Sequence, residues 1–218
     1  MFDGVIFDMD GLMVDTEPVW MECWAPALAR FGYDVPPGLA DAVRGSAGDN
    51  AARLLHEMVS SQLDTKAFWA YFSLLAERVF AQGVEKKPGL DELLAYLGEQ
   101  GVPCAVASSS SKEGIERNLR FIGHLDCFQV IVPGSEVPHA KPAPDVFLEA
   151  AKRLGTKPAR TMVLEDSFNG VRAGAAGGFY TVMVPDLASP NDEIRSVASC
   201  VCPSLLKVRD LLAQGEMG

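Results

Sequence analysis

Asp8 and Asp10 stand one residue apart at the end of an apolar run, in Val5-Ile6-Phe7-Asp8-Met9-Asp10-Gly11. The run from Phe2 to Phe7 is β-branched and aromatic and predicts a buried strand. On a continuing strand, residues two apart lean to the same face. Two carboxylates at ~4 Å repel by about 4 kcal/mol at an effective dielectric of about 20, so a cation, solvent or a shared proton must offset them. The competing reading is an Asp-rich turn in which Gly11 supplies a positive φ.

Three further polar clusters each follow an apolar run. Ser108-Ser109-Ser110-Ser111-Lys112 follows Val102–Ala107. His139-Ala140-Lys141-Pro142-Ala143-Pro144-Asp145 follows Val130–Val132. Glu165-Asp166-Ser167 follows Thr161–Leu164. In an open parallel sheet, ligands bind beyond the carboxyl ends of the strands, where these clusters would converge. Carboxylates suit a hard divalent cation such as Mg²⁺. Hydroxyls, backbone N–H groups and an ammonium suit a phosphoryl group. The implied chemistry is metal-assisted phosphoryl transfer.

The elements that must position these groups are legible from periodicity. Strand-like runs at Val102–Ala107, Val130–Val132, Met162–Leu164 and Tyr180–Val184 alternate with helical stretches at 90–97, 112–121, 144–154, 167–176 and 205–212. Such alternation predicts a Rossmann-like parallel α/β sheet with helices on both faces. Between Glu17 and Gln82 no strand-like run occurs. Trp20, Trp24, Leu28 and Phe31 fall at helical spacing, as do Ala51, Leu54, Leu55 and Met58, and then Phe68, Phe72, Leu75 and Val79. This segment predicts a helical bundle. Asp15-Thr16-Glu17-Pro18 forms its entrance, with acidic residues and proline in a first turn.

The motifs Asp8-Met9-Asp10-Gly11 with Asp15-Thr16-Glu17-Pro18, then Ser108, Lys141-Pro142 and Glu165-Asp166-Ser167-Phe168-Asn169-Gly170 appear in that order. With them the chain resembles the haloacid-dehalogenase-like hydrolases, in the branch of β-phosphoglucomutase and small sugar-phosphate phosphatases. The resemblance implies strand order 3-2-1-4-5 and a helical cap inserted after the first strand. The expected domains are a catalytic core of residues 1–14 and 88–218 and a cap of residues 15–87. It further implies Asp8 as the nucleophile that takes the phosphoryl group and Asp10 as general acid and base. Ser108, Ser109 and Lys141 would bind phosphate. Asp8, Asp10 through its carbonyl, Glu165 and Asp166 would hold Mg²⁺, with Asp166 ranked above Glu165. Thr16, Trp20, Arg44, Gly45 and Ser46 are the cap candidates for substrate contact.

Each assignment has a structural counterpart. Glu165-Asp166-Ser167 also reads as a helix cap, and the serine run as an N-cap centred on Ser110 or Ser111. A lone lysine is usually a surface charge, and the tryptophans are usually bundle core. His56 and His124 read as structural or surface residues, and His139 as a neighbour of Lys141.

Substrate class is narrower than the family. The β-phosphoglucomutases carry a histidine where Trp20 stands and an arginine where Gly48 falls. These departures favour a phosphomonoesterase of a small sugar or polyol phosphate over a mutase. A dehalogenase lacks an acid at the Asp10 position, and a non-catalytic member would have lost one of Asp8, Asp10, Lys141 or Asp166.

The net charge of −10 disfavours nucleic acid and anionic membranes as partners. The expected partner is a small phosphorylated metabolite, and the expected state a monomer. Met1-Phe2-Asp3 leads directly into the first strand, so no signal peptide is expected. The scattered Cys23, Cys104, Cys127, Cys200 and Cys202 fit a reducing cytoplasm, with the last two as packing residues.

Overall fold

The structure, a computed structural model, describes residues 2–43 and 48–217. The chain divides into two compact units, Met1–Asp15 with Glu85–Gly218, and Thr16–Val84.

The first unit opens with β1 (Gly4–Phe7) and then β2 (Val14–Asp15). After the helical unit it resumes with β3 (Glu85–Lys86). Among the described residues, β4 (Cys104–Ser108), β5 (Val130–Pro133), β6 (Thr161–Glu165), β7 (Tyr180–Met183) and β8 (Cys200–Val201) complete the strands. Six of them form one sheet in the order β5-β4-β1-β6-β7-β8, every pairing parallel. The five expected strands keep the expected order, and the short β8 adds a sixth at the edge. β1 is shorter than the sequence predicts because its partner β6 begins at Thr161, opposite Gly4. Before that point Asp3 donates its N–H to Arg160 O and pairs with the Arg160 side chain.

Parallel strands covered on both faces read as continuous apolar runs, as these do. Ile6, Ala105, Val132 and Val163 pack with Phe147 and Ala150 in one buried cluster.

The second unit contains α1 (Glu17–Ala29), α2 (Leu39–Val43), α3 (Gly48–Met58) and α4 (Thr65–Phe80). Its core is aromatic. The ring centroids of Trp24 and Phe72 lie 4.8 Å apart, and those of Phe68 and Trp69 5.2 Å. The predicted stripes on α1 and α4 are the ones that meet. The short α2 lacks a long period and escaped the sequence reading.

The remaining helices cover the sheet: α5 (Leu90–Glu99), α6 (Lys112–Phe121), α7 (Asp145–Leu154), α8 (Phe168–Ala176), α9 (Asp192–Val197) and α10 (Leu205–Ala213). Among them α9 was not anticipated; Asn191 caps it by accepting from Ile194 N. A two-stranded antiparallel ladder, β2 with β3, ties together the two places where the chain leaves and re-enters the first unit. No helix among the described residues is long and apolar enough to cross a membrane.

Candidate active site

The carboxyl ends of β1, β4 and β6 lie side by side in the sheet and carry Asp8, Ser108 and Glu165. Asp8 continues β1 by one hydrogen bond, donating its N–H to Leu164 O at 3.0 Å. The chain then turns sharply. Met13 and Val14 both donate to Met9 O, and Gly11 has φ +82°. A Cβ on Gly11 would stand 2.3 Å from Asp166 Oδ2. Glycine here serves both the turn and the close approach of Asp166. The turn expected at Gly11 is formed, and it brings Asp166 against the motif.

Lys141 is the hub. Its Nζ donates to Asp8 Oδ1 at 2.6 Å, Glu165 Oε1 at 2.7 Å and Ala107 O at 3.2 Å. The side chains of Lys141, Asp8 and Glu165 are 8%, 9% and 1% exposed, so this is a buried ion network rather than a surface charge. The Phe147 ring lies beneath the ammonium at 4.6 Å, a cation–π contact. Burial alone would discharge this lysine, but Asp8 and Glu165 more than offset it and hold its pKa above the ordinary value.

Glu165 uses both oxygens. Oε1 takes Lys141, while Oε2 accepts from Ser167 N at 2.8 Å and Ser167 Oγ at 2.9 Å. It lies so close to the start of α8 that a Cβ on Gly170 would meet Oε1 at 1.7 Å. Ser167 also caps α8, accepting from Gly170 N. Helix capping and the contact to Lys141 thus divide between adjacent residues, Ser167 and Glu165.

The serine run resolves into distinct positions. Ser111 caps α6, accepting from Gly114 N. Ser108 Oγ donates to Asp10 Oδ2 at 3.3 Å, and Ser110 Oγ donates to the same oxygen at 2.7 Å. Ser110 is the site residue that the sequence did not single out, because four identical neighbours carry no signal of which hydroxyl turns inward. Ser109 is exposed. With Ser108, Gly134, Ala140 and Lys141 it lines a shallow cavity of about 90 Å³ beside the lysine.

One expected neighbour of Lys141 falls elsewhere. His139 does not join Lys141: its ring is 74% exposed and Nδ1 pairs with Asp145 at 2.9 Å. Trp20 packs its ring against Phe72 and Phe80 within the helical unit. Thr16 is buried at the start of α1, and its carbonyl accepts from Trp20 N. Arg44, Gly45 and Ser46 lie outside the described residues. At the rim, Lys87 bridges Asp186 at 2.7 Å and Asp15 at 3.3 Å, a link that residues so far apart in sequence could not announce.

Ligand oxygens of Asp8, Glu165 and Asp166 come within 4.8 Å of one another. A family model described as haloacid dehalogenase-like hydrolase matches residues 5–184. The chain belongs to the haloacid dehalogenase-like hydrolases. This hydrolase is 32% identical to fructose-1-phosphate phosphatase YqaB of Escherichia coli, over 84% of this chain and 96% of that protein. It is 34% identical to a bifunctional riboflavin kinase/FMN phosphatase of Arabidopsis thaliana, over 94% of this chain but 54% of that longer one. Among solved structures, CbbY from Rhodobacter sphaeroides in complex with phosphate superposes with a TM-score of 0.81 at 26% identity, covering 95% of this chain and 96% of that one.

The electrostatics of the cluster bear on whether it suits a cation. Burial pushes the Asp8 carboxyl up to about 7, with Lys141 opposing and Glu165 and Asp10 adding to the rise. Burial, then Glu165 and Asp8, push Asp166 up to about 9. Ionising all the carboxyls beside a single lysine is therefore costly. The donors are all hard oxygens, and a second positive charge would lower that cost. The residues present therefore fit a divalent cation, with Asp8 and Asp166 best placed, since Glu165 is already engaged by Lys141 and Ser167.

Proposed function

We propose that this hydrolase is a Mg²⁺-dependent phosphomonoesterase acting on a small sugar or polyol phosphate through an aspartyl phosphate on Asp8. The observation that carries the reading is the Lys141 hub, which binds the nucleophile candidate on a wall shared with Ser108, beside a carboxylate pair suited to a metal. Fructose-1-phosphate phosphatase as a relative supports the sugar-phosphate class.

In this reading Asp8 attacks phosphorus with the oxygen not held by Lys141. Lys141 and the Ser108 hydroxyl hold the phosphoryl oxygens as charge shifts onto them. The bond to the sugar oxygen breaks, and Asp10 gives that oxygen its proton. Asp10 then takes a proton from water as the water attacks the aspartyl phosphate, which returns Asp8 and releases phosphate. Mg²⁺, held by Asp8, Asp166 and the Asp10 carbonyl, would neutralise charge on the phosphate. Glu165 fixes the lysine rather than touching substrate. The helical unit serves as the cap that selects among leaving groups.

A panel of sugar and polyol phosphates, with an aryl phosphate as a generic substrate, tests the proposal. Hydrolysis should require Mg²⁺ and stop in excess chelator. Full activity in chelator would overturn the metal's role, and interconversion of phosphosugars without release of phosphate would replace the phosphatase by a mutase.

A further inference from the structure

A second constellation lies away from the strand ends, where α5 meets the turn between α6 and β5. His124 starts a short 3₁₀ turn, Leu125–Cys127, whose last residue is three positions on. Side chains three apart on a 3₁₀ turn eclipse one another, so His124 and Cys127 share a face. Cys127 Sγ lies 3.6 Å from His124 Nδ1. The other ring nitrogen, Nε2, bonds Asp91 Oδ1 in the first turn of α5. Lys86 Nζ in turn holds both Asp91 oxygens, at 2.8 and 2.6 Å.

The carboxylate partner favours one tautomer of the neutral imidazole. Asp91 is an acceptor, with its pKa lowered by Lys86 and then by His124, so it fixes the imidazole proton on Nε2. Nδ1 is then a lone pair directed at the thiol, and the thiol is the donor. Nucleophile, base and a carboxylate that orients the base are thus in line, the arrangement that activates a cysteine. The histidine is held by its own backbone too, His124 N donating to Leu119 O at 2.9 Å. Cys127 is partly exposed, whereas Cys23, Cys104 and Cys202 are buried. Cys200, the other partly exposed thiol, lies 3.7 Å from Cys202 Sγ and near Tyr180.

We propose that Cys127 is a site of thiol–disulfide exchange with small disulfides, with His124 as its base and Asp91 as the residue that orients that base. In the step, the Cys127 proton passes to His124 Nδ1 and the thiolate attacks one sulfur of the small disulfide. A bond forms between Cys127 Sγ and that sulfur, and the original S–S bond breaks. The departing thiolate carries its electron pair away and takes the proton from His124. The protein thiol is oxidised, the small disulfide is reduced to one free thiol, and no other reactant is needed.

The groups facing the thiol set its resting state. Burial, Asp126 and Asp91 all raise its pKa, and Cys104 lies close by on β4. The thiol is therefore protonated at neutral pH, and its reactivity there depends on transfer to His124.

The test uses the full reduced chain and a small aromatic disulfide that releases a coloured thiolate, with peptide mass mapping to assign each site. At neutral pH, Cys127 should react about a hundredfold faster than Cys200, at the lower end of what a positioned base supplies. His124→Gln should remove that advantage and move the onset of reaction to higher pH, where the thiol ionises unaided. Asp91→Asn should reduce the ratio by less. Cys200 reacting first, or a ratio unchanged in His124→Gln, would overturn the proposal. If His124→Gln does not fold, Asp91→Asn decides alone, and an unchanged ratio there overturns it.

Discussion

At the carboxyl ends of β1, β4 and β6 the buried groups are charged, whereas in the helical unit they are aromatic. Lys141, Asp8 and Glu165 are out of water as completely as many core side chains, yet they hold one another through bonds of 2.6 and 2.7 Å. Trp20, Trp24, Phe68 and Phe72 are held by area and ring contact, with pairs such as Trp24–Phe72 at 4.8 Å. The two kinds of burial fail differently. An aromatic pair is worth about 0.5–1.5 kcal/mol beyond its area, and losing one leaves a cavity. A buried ion pair adds little net stability while intact, but removing one partner strands a charge. A fold that keeps such a network at the end of its sheet is holding charge in place for chemistry, not for strength.

The largest effect is expected from Lys141→Met. It should lower turnover of an aryl phosphate by about a hundredfold or more, the scale of losing one charge-stabilising donor. In the metal-free protein it should also cost about 3–5 kcal/mol, because Asp8 and Glu165 lose their cation. Turnover with Mg²⁺ and urea unfolding in chelator measure the two parts. A variant that keeps wild-type turnover would show that the network is structural only.

Gly170→Ala is a smaller change with a directed consequence. Its Cβ would overlap Glu165 Oε1, so the carboxylate must move and Lys141 with it. We expect overpacking of about 1–3 kcal/mol and roughly a tenfold loss of turnover. A stability loss with turnover intact would mean that Glu165 does not position the lysine.

Trp20→Ala probes the aromatic side. Its ring is half-buried against Phe72 and Phe80, so the loss should be roughly 2 kcal/mol, below the 3–5 kcal/mol typical of full aromatic truncation. Aryl phosphate hydrolysis per folded molecule should hold, while the ratio of rates on two sugar phosphates should shift if the helical unit selects substrate. An unchanged ratio alongside the stability loss would make Trp20 core alone and place selection elsewhere.

These experiments also separate what the sequence could say from what it could not. β1, β4 and β6 each end where an apolar run meets polar residues, so the order of motifs was enough to bring Asp8, Ser108 and Glu165 to one edge. Periodicity likewise found α1 and α4, whose stripes are long. The choice among four serines was not legible, because only the turn into α6 decides that Ser110 faces Asp10 and Ser111 caps. Glu165 was expected among the metal ligands, ranked below Asp166; its engagement by Ser167 and Lys141 depends on the approach of α8 at Gly170, which no local pattern encodes. His139 was misplaced for the opposite reason. Nearness in sequence to Lys141 suggested nearness in space, but the loop turns the imidazole outward to Asp145. The β2–β3 ladder and the Lys87 bridge join segments with the whole helical unit between them, and two-residue strands leave no periodic trace.

If Asp8 carries the phosphoryl group, disabling Asp10 should trap the group there. Asp10→Asn should slow both protonation of the leaving group and hydrolysis of the acyl phosphate, so a phosphoenzyme should accumulate with an activated aryl phosphate and Mg²⁺. Acid quench, intact-mass analysis and peptide mapping would locate it. One phosphoryl group is expected on the peptide containing Asp8, absent when Asp8→Asn is added. A phosphoryl group on any other residue, or hydrolysis at the wild-type rate in Asp8→Asn, would contradict it.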